Sequence, residues 1–354
     1  MRCSILLVLV MALGMFSFRN HKTTTYKFPQ LAAFPPMPVA VDNPVTVDGV
    51  ELGRFLFYDT ILSKDGTLSC ASCHKQENAF SGAPEAFNKG FNGALQKRNT
   101  LPLFNLAWHP RLFWDGRVES IEEQAFHPVR THDEMNLDWE EAARRVSTNR
   151  FYKARFQKVF PGESIDSITI AKALAQFERT LLSYRSKFDA FIAGKATLTQ
   201  EEAEGFEIIN DMTRGDCLHC HSTDADALGT TLAFSNNGLD TATIKDSYPD
   251  KGMGAITHND ADNGKFKIPS LRNLSFTAPY MHDGRFETLE EVMAFYSSGV
   301  KNSVNIDSKM GAAHKGGVQL NKEEQQKVIA FLKTLNDTAF IIDPAFSNPF
   351  QKKR

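Results

Sequence analysis

The chain has little cysteine, no excess of charge of either sign and only one long hydrophobic run. Five cysteines in 354 residues are too few for a disulfide framework. Forty Lys and Arg residues are balanced by 42 Asp and Glu residues, so no bulk basic surface favours nucleic acid as a partner. A hydrophobic fraction of 42% and a charged fraction of 23% exclude a disordered chain, a collagen-like fibre and a polytopic membrane protein.

The hydrophobic run lies at the N-terminus. Residues 3–18 are almost entirely apolar and are flanked by basic residues, which are Arg2, Arg19 and Lys22. This run is short for a helix that spans a bilayer, which needs about 20 residues, but it fits the apolar centre of an export signal. Because no A-x-A cleavage site is evident, residues 1–22 are expected to be either a signal peptide or an uncleaved N-terminal anchor.

The four cysteines outside this segment occur in two matching motifs. They are Cys70-Ala-Ser-Cys73-His74 and Cys217-Leu-His-Cys220-His221, both of the form C-x-x-C-H. Attachment of a c-type haem needs this order, because two thiols add to the two vinyl groups of one porphyrin and the next imidazole binds the iron. A zinc site would have to join halves about 140 residues apart, and a redox C-x-x-C needs no following His. The motifs therefore predict two covalent c-type haems and, since such haems are attached after export, a periplasmic location.

A second repeat follows each haem motif. Residues 114–123 match residues 282–291, with six of ten positions identical, and the match extends upstream in the same register. The chain is therefore expected to consist of two cytochrome c-like haem domains related by internal duplication. Their expected bounds are residues 44–195 and 196–345.

Helical periodicity dominates the remaining sequence, so we expect an all-α fold. Large apolar residues recur every three or four positions over residues 167–193, which predicts one long helix joining the halves. Capping boxes at Thr199-x-x-Glu202 and Asn321-x-x-Glu324 predict two further helix starts. No run of alternating strands is evident.

The two copies of the repeat differ at one position after the shared turn. Tyr296 in the second copy aligns with Pro128 in the first. Since Tyr can ligate haem iron and Pro cannot, the second haem would have His221 and Tyr296 as ligands, and the first would be open to peroxide. Tyr296 could instead be a core aromatic beside Phe295. The second iron could instead be ligated by a methionine, for which the candidates are Met281, Met293 and Met310. The first haem could be closed by a histidine, for which the candidates are His109, His127 and His132.

The sequence resembles the bacterial di-haem cytochrome c peroxidases and, within them, the MauG-like branch. The resemblance covers residues 45–340 and rests on LGRFLFYDTILSKDGTLSCASCH (52–74), FWDGR (113–117), EEQAFHPV (122–129), EM (134–135), CLHCH (217–221), PSLRNLSFTAPYMHDGRFETLEE (269–291) and FY (295–296). It implies an N-terminal haem that reacts with hydrogen peroxide and a C-terminal haem that holds the second oxidising equivalent. It also implies that Trp114 lies between the haems and that Gln124 and Glu134 assist the peroxide chemistry.

The resemblance further implies a calcium ion and an electron donor. The calcium would lie between the domains on the side chain of Asn99 and the backbone carbonyl groups of Thr277 and Pro279, with water completing its shell. Electrons would come from a small redox protein such as a cytochrome c or a cupredoxin. The sequence does not set the oligomeric state, for which a homodimer is one candidate.

Three features refine the comparison with that family. Many members carry a His that closes the first haem in the loop that is here KGFNGALQKRN (89–99), which has no His and places Phe91 near that position. Most peroxidases of the family have Met on the second haem, whereas the MauG-like branch has Tyr, which matches Tyr296. MauG uses a Trp before its second haem motif to oxidise a protein substrate, and residues 214–216 lack one.

The expected function is therefore a periplasmic peroxidase that reduces hydrogen peroxide to water. The alternatives are a MauG-like protein-modifying oxidase and a non-catalytic di-haem electron-transfer cytochrome.

Overall fold

The computed structural model describes residues 23–31, 33–38, 40–222, 227–244 and 247–351. The helices of these residues are α1 Val47–Tyr58, α2 Cys70–Cys73, α3 Ile121–Arg130, α4 Trp139–Thr148, α5 Arg150–Val159, α6 Ser167–Glu178, α7 Lys187–Ile192, α8 Gln200–Asn210, α9 Gly254–Thr257, α10 Leu289–Ala294 and α11 Lys322–Thr334. Two short antiparallel strands, β1 Phe234–Ser235 and β2 Phe266–Lys267, complete the regular structure. The predicted helical fold is thus confirmed.

The predicted export signal, residues 1–22, lies outside the described residues. Among the helices that are described, none has the length and apolar character needed to cross a membrane.

The first half of the chain is built around the crossing of α1 and α6. Helix α1 begins at Thr46, whose hydroxyl accepts a hydrogen bond from the N–H of Gly49. The helices can approach closely at Gly53, because a Cβ there would lie only 2.0 Å from the carbonyl oxygen of Ala173. The rest of this half packs around the pair in one hydrophobic core that includes α3, α4 and α5.

The second half contains a similar crossing, of α8 with α11. At Gly205 a Cβ would lie 2.0 Å from the carbonyl oxygen of Lys327. Both helices begin with a capping box, at Thr199 and Asn321, so the two predicted helix starts are confirmed. This half has its own core, separate from that of the first half.

The prediction of one long helix over residues 167–193 is wrong. The chain forms α6, leaves the helical path and then forms α7. In the segment between them, the backbone N–H groups of Tyr184 and Arg185 each donate to the buried carboxylate of Asp337 at 2.9 Å. The apolar spacing indicated a continuous helix, but a side chain from a distant part of the sequence takes the backbone donors that such a helix would use.

Equivalent positions of the sequence repeat have matching local structure. Each copy has an asparagine and a turn glycine with positive φ, an isolated antiparallel bridge and a hydroxyl that caps the following helix. The asparagines are Asn105 and Asn273, and the turn glycines are Gly116 and Gly284. The bridges are Leu112–Val118 and Tyr280–Phe286, and the capping hydroxyls are those of Ser120 and Thr288. The same turn therefore delivers the chain to α3 in the first half and to α10 in the second.

We expect Gly53→Ala to destabilise the protein by about 1–3 kcal/mol, because the added methyl forces α1 away from α6. The measurement is thermal unfolding of the haem-loaded protein. Gly311→Ala is the control, since a Cβ at Gly311 would meet no atom within 4 Å. Equal melting temperatures for the two variants would show that the close crossing is not needed.

Candidate functional site: two haem motifs and a shared cavity

The first C-x-x-C-H motif forms α2 and the residue that follows it. The thiols of Cys70 and Cys73 are free, and neither forms a disulfide. Nδ1 of His74 lies 2.8 Å from the carbonyl oxygen of Phe80. Since a carbonyl only accepts hydrogen bonds, Nδ1 carries the proton and Nε2 is left as the free lone pair that an iron ligand requires.

The second motif has the same arrangement on a shorter helical turn. Cys217 and Cys220 are free thiols, and Nδ1 of His221 lies 3.0 Å from the carbonyl oxygen of Pro269. Burial lowers the pKa of both imidazoles, His74 and His221, to about 4, so both rings are neutral near pH 7. Each motif thus offers two thiols and an unprotonated ring nitrogen, which fits covalent haem attachment with a proximal His.

A cavity of about 780 Å³ opens beside His74. Its wall contains the three residues predicted for the peroxide chemistry, Trp114, Gln124 and Glu134. A smaller cavity of about 50 Å³ lies against the Cys70 and Cys73 thiols and shares Gln124 and Glu134 with the larger one. The fold therefore gathers residues from separate segments around the space next to the first haem motif.

Helix α3 provides one face of this cavity. Gln124 and Pro128 are four positions apart, so they lie on the same side of the helix and both line the cavity. The carboxyl group of Glu134 enters from the turn that follows α3. Burial raises the pKa of Glu134 to about 7, Arg117 opposes the shift and Asp133 adds to it. Glu134 can therefore both accept and release a proton near neutral pH.

The loop over residues 89–99 lies against the Glu134 turn and contributes no imidazole to the cavity wall. The backbone N–H of Phe91 donates to the carbonyl of Glu134 at 2.7 Å. At Gly90 a Cβ would lie 2.0 Å from the carbonyl oxygen of Asp133, so only glycine allows the loop to approach this closely.

The three histidines considered as rival ligands of the first haem occupy different places. His109 lines the large cavity. His127 does not line it and instead packs its ring edge-to-face against Phe113, 5.2 Å between centroids. His132 is exposed on the surface. Of the three, only His109 faces the space next to His74.

Trp114 lies at the junction of the two halves. Its indole Nε1 donates to the carbonyl of Asn99 at 2.8 Å, and its ring meets that of His282 edge-to-face with centroids 6.5 Å apart. His282 occupies the position in the second repeat that Trp114 occupies in the first. The N–H of Asn99 donates to the carbonyl of His282 at 2.7 Å, so the backbone of one residue contacts both Trp114 and His282.

The three residues predicted for calcium lie near the same junction. The side-chain N–H of Asn99 donates to the carbonyl of Ala86 at 3.1 Å. Both Ala86 and Pro279 lie next to Gly284, so Asn99 and Pro279 are joined through these neighbours. Within the described ranges, no donor is bonded to the side-chain oxygen of Asn99 or to the carbonyl oxygens of Thr277 and Pro279. Oxygen atoms of this kind are the ligands that calcium prefers.

Tyr296 lies on a π-helical turn, Phe295–Gly299, that continues α10. Its phenol oxygen is 3.0 Å from the side-chain nitrogen of Asn237, which also lies 3.8 Å from the sulfur of Met281. The pKa of the Tyr296 phenol is raised to about 12, mainly by burial. The hydrogen bond from the Asn237 amide opposes this increase, and the thiols of the second haem motif add to it. Tyr296 and Met281 thus lie together close to the second motif, whereas Met293 is buried in the core around α8 and α11.

Two residues of the site, Asn237 and Lys267, were not predicted from the sequence. Asn237 lies in a polar loop without periodicity, and nothing in the sequence marks it. Lys267 is a buried lysine in β2 between two apolar residues, Phe266 and Ile268, and this alternation is the only sequence signal it has.

Comparison with known proteins agrees with this arrangement. Residues 47–197 match the family model described as di-haem cytochrome c peroxidase. Methylamine utilization protein MauG of Methylophilus methylotrophus is 33% identical over 86% of this chain and 88% of its own length. Cytochrome c551 peroxidase of Nitrosomonas europaea is 34% identical over 85% of this chain and 84% of its own. The chain belongs to the di-haem cytochrome c peroxidase family.

Solved structures of this family have the same fold. The crystal structure of a MauG-like protein associated with microbial copper homeostasis superposes with a TM-score of 0.84 at 34% identity, covering 92% of this chain and all of that one. The di-haem peroxidase BthA of Burkholderia thailandensis has a TM-score of 0.70 at 22% identity, which shows the fold alone. As a member of this family, the protein is an oxidoreductase with two c-type haems.

We expect the double variant Cys217→Ala/Cys220→Ala to retain one covalent haem per chain, because the motif at Cys70 and Cys73 is unchanged. Haem that resists extraction by acidified organic solvent is counted in the purified protein. His219→Ala, inside the same motif but at a position without a predicted role, should keep two. Two covalent haems in the double variant would rule out attachment at this motif.

Proposed function

We propose that the protein is a periplasmic di-haem peroxidase that reduces hydrogen peroxide to water with electrons from a small redox protein. The observation that carries this proposal is the cavity beside His74, whose wall combines Glu134, Gln124 and Trp114 with Pro128, a residue that cannot bind iron. Haem bound there supplies the iron at which the O–O bond of peroxide is broken. An open site of this kind needs a nearby acid–base group, and the cavity provides one in Glu134.

Glu134 carries the proton in this proposal. Its carboxylate takes the proton from the oxygen of peroxide nearer the iron and returns it to the far oxygen, which then leaves as water. A pKa near 7, caused by burial, suits both halves of this transfer. The amide of Gln124, on the adjacent face of α3, orients the peroxide by hydrogen bonding.

The second haem site would serve as the store for the other oxidising equivalent, with His221 and Tyr296 as its ligands. The side-chain N–H of Asn237 donates to the phenol oxygen of Tyr296, which favours the anionic form that ligates iron. Trp114 would connect the two sites, since it lines the first cavity and touches His282 of the second half. A calcium ion on Asn99, Thr277 and Pro279 would hold the halves at this junction.

Internal duplication accounts for this division of roles. It is supported by the two glycine-mediated helix crossings and by the repeated turn that precedes α3 and α10. At the equivalent positions that follow this turn, one copy has Pro128 and the other has Tyr296. We infer that a single ancestral haem domain, covering residues 44–195 and 196–345 in its two copies, gave rise to one open site and one closed site.

A second function, oxidation of a partner protein, is favoured by the similarity to MauG and by the position of Tyr296. The segment before the second haem motif does not favour oxidation of a partner protein, because residues 214–216 contain no aromatic side chain. Arg214 in this segment pairs with Glu324 at 2.6 Å. Steady peroxide turnover supported by a reduced small cytochrome c or cupredoxin favours the peroxidase. Peroxide consumption only with a protein substrate favours the modifying oxidase.

We expect Glu134→Gln to keep both haems and lose about 100-fold or more of its peroxide turnover, because the amide cannot accept the proton. Turnover is followed as oxidation of a reduced small cytochrome c by hydrogen peroxide. The control is Glu140→Gln, an exposed glutamate on α4 that is distant from the cavity wall. Full turnover in Glu134→Gln would reject Glu134 as the proton carrier.

The same assignment sets the sign of the pH dependence. Only ionised Glu134 accepts a proton, and with a pKa of about 7 the ionised fraction rises from about a tenth at pH 6 to about nine-tenths at pH 8. Turnover by the unsubstituted protein should therefore rise across this range, whereas the residual turnover of Glu134→Gln should not.

We expect Tyr296→Phe to remove the tyrosine ligand proposed for the second haem, which would convert the low-spin ferric EPR signal of that haem to a high-spin one. Met281→Leu is the matched control, because Met281 also lies near Asn237. If Met281→Leu changes the EPR signal and Tyr296→Phe does not, the ligand is Met281.

We expect Asn99→Ala to lower the calcium affinity of the holoprotein about tenfold or more, because one of few protein oxygen ligands is lost. Calcium is removed with a chelator and its rebinding is measured by calorimetry. Asn210→Ala, at the exposed C-terminal end of α8, controls for the loss of an asparagine. Unchanged binding in Asn99→Ala would place the ion elsewhere or exclude it.

A further inference from the structure

Lys267 is a buried cation in the wall of the large cavity. Its relative exposure is 6%, and it lines the same space as His74 and Trp114. The ammonium nitrogen donates to the carbonyl of Arg111 at 2.8 Å and lies 2.6 Å from Nδ1 of His109. Both contacts come from the first half of the chain, so Lys267 reaches across from β2 in the second half.

No carboxylate of the described residues forms an ion pair with Lys267, and its pKa is lowered to about 7 by burial alone. Two arginines of the cavity wall already have carboxylate partners, since Arg98 binds Asp115 and Asp250, and Arg117 binds Asp115. A buried ammonium group without an anion is costly, because its lost hydration is not replaced. The cavity therefore has a place for a negative charge next to Lys267.

The hydrogen bonds around Lys267 show which donors remain for that charge. An ammonium group has three N–H donors, and two of them are directed to the Arg111 carbonyl and to Nδ1 of His109. Because Nδ1 of His109 accepts, its ring proton is on Nε2. One N–H of Lys267 is thus left as a donor, which suits an oxygen of a carboxylate.

We propose that Lys267 binds a carboxylate inside the cavity and that this carboxylate is a propionate group of a bound haem. Haem carries two such groups, and the position of Lys267 at the junction of the halves lets either haem supply one. Because Lys267 lines the same cavity as His74, the first haem is favoured as the source of the propionate. In this arrangement His109 accepts from Lys267 and keeps its ring proton on Nε2, so that nitrogen does not close the first haem.

The backbone of Lys267 links this site to Trp114. Its N–H donates to the carbonyl of Trp114 at 2.8 Å. The charge that holds the propionate is therefore attached to the same short segment, residues 111–114, that positions the tryptophan at the junction. The inference depends on the two haems and not on the proposed reaction with peroxide.

The test is spectroelectrochemical titration of both haems in the holoprotein of Lys267→Met. Loss of a positive charge beside a propionate favours ferric over ferrous iron, and we expect the equilibrium of one haem to shift about tenfold, which is about 59 mV for a one-electron couple. Lys267→Arg should stay within about twofold of the unsubstituted protein, since it keeps the charge. Lys265→Met, which removes a surface lysine paired with Asp262, is the matched control.

The haem that shifts identifies the source of the propionate, because cyanide binding marks the open first haem. Equal midpoints in Lys267→Met and the unsubstituted protein, with two haems attached to each, would overturn the proposal. If Lys267→Met does not retain both haems, a crystal structure of the unsubstituted holoprotein decides the question. It should place a propionate oxygen within hydrogen-bond distance of the Lys267 nitrogen, and a propionate-free surrounding would overturn the proposal.

Discussion

The hydrogen bond between a backbone carbonyl and Nδ1 of a histidine is the interaction on which both haem sites depend. It fixes the ring orientation of His74 and His221 and leaves Nε2 of each free to bind a metal. The carbonyl oxygens come from Phe80 and Pro269, which lie in loops that follow the motifs at very different sequence distances. The loops of each half therefore have to pack correctly before either imidazole can be placed under a metal.

The two halves share this proximal arrangement and differ on the opposite side. Pro128 lies on an α-helix with Gln124 on the same face, whereas Tyr296 lies on a π-helical turn. The phenol oxygen of Tyr296 accepts a hydrogen bond from Asn237. The extra residue in a π turn changes which side chain faces inward, and such turns recur at functional sites. Two halves with matching haem motifs thus differ in that one has a cavity bordered by Glu134 and the other has the buried phenol of Tyr296.

Much of this arrangement could be predicted from the sequence, since covalent attachment requires a fixed order of residues and helix caps require particular side chains. The haem motifs, the starts of α8 and α11 and the shared turn all follow from such local rules. The break between α6 and α7 could not be predicted, because it depends on Asp337, a residue distant in sequence. The contacts of Lys267 with His109 and of Asn237 with Tyr296 also join distant segments, so no local pattern reveals them.

The backbone of Asn99 joins the two halves beside Trp114 and so bears on electron transfer between them. Its carbonyl accepts from the indole of Trp114 in the same half, and its N–H donates to the carbonyl of His282 in the other half. A rotation of the halves against each other beside Trp114 would therefore have to break the bond to His282. Electron tunnelling slows steeply with each added ångström of gap. A junction held by the backbone of Asn99 would keep that gap constant, so exchange between the two proposed metal centres would not depend on domain motion.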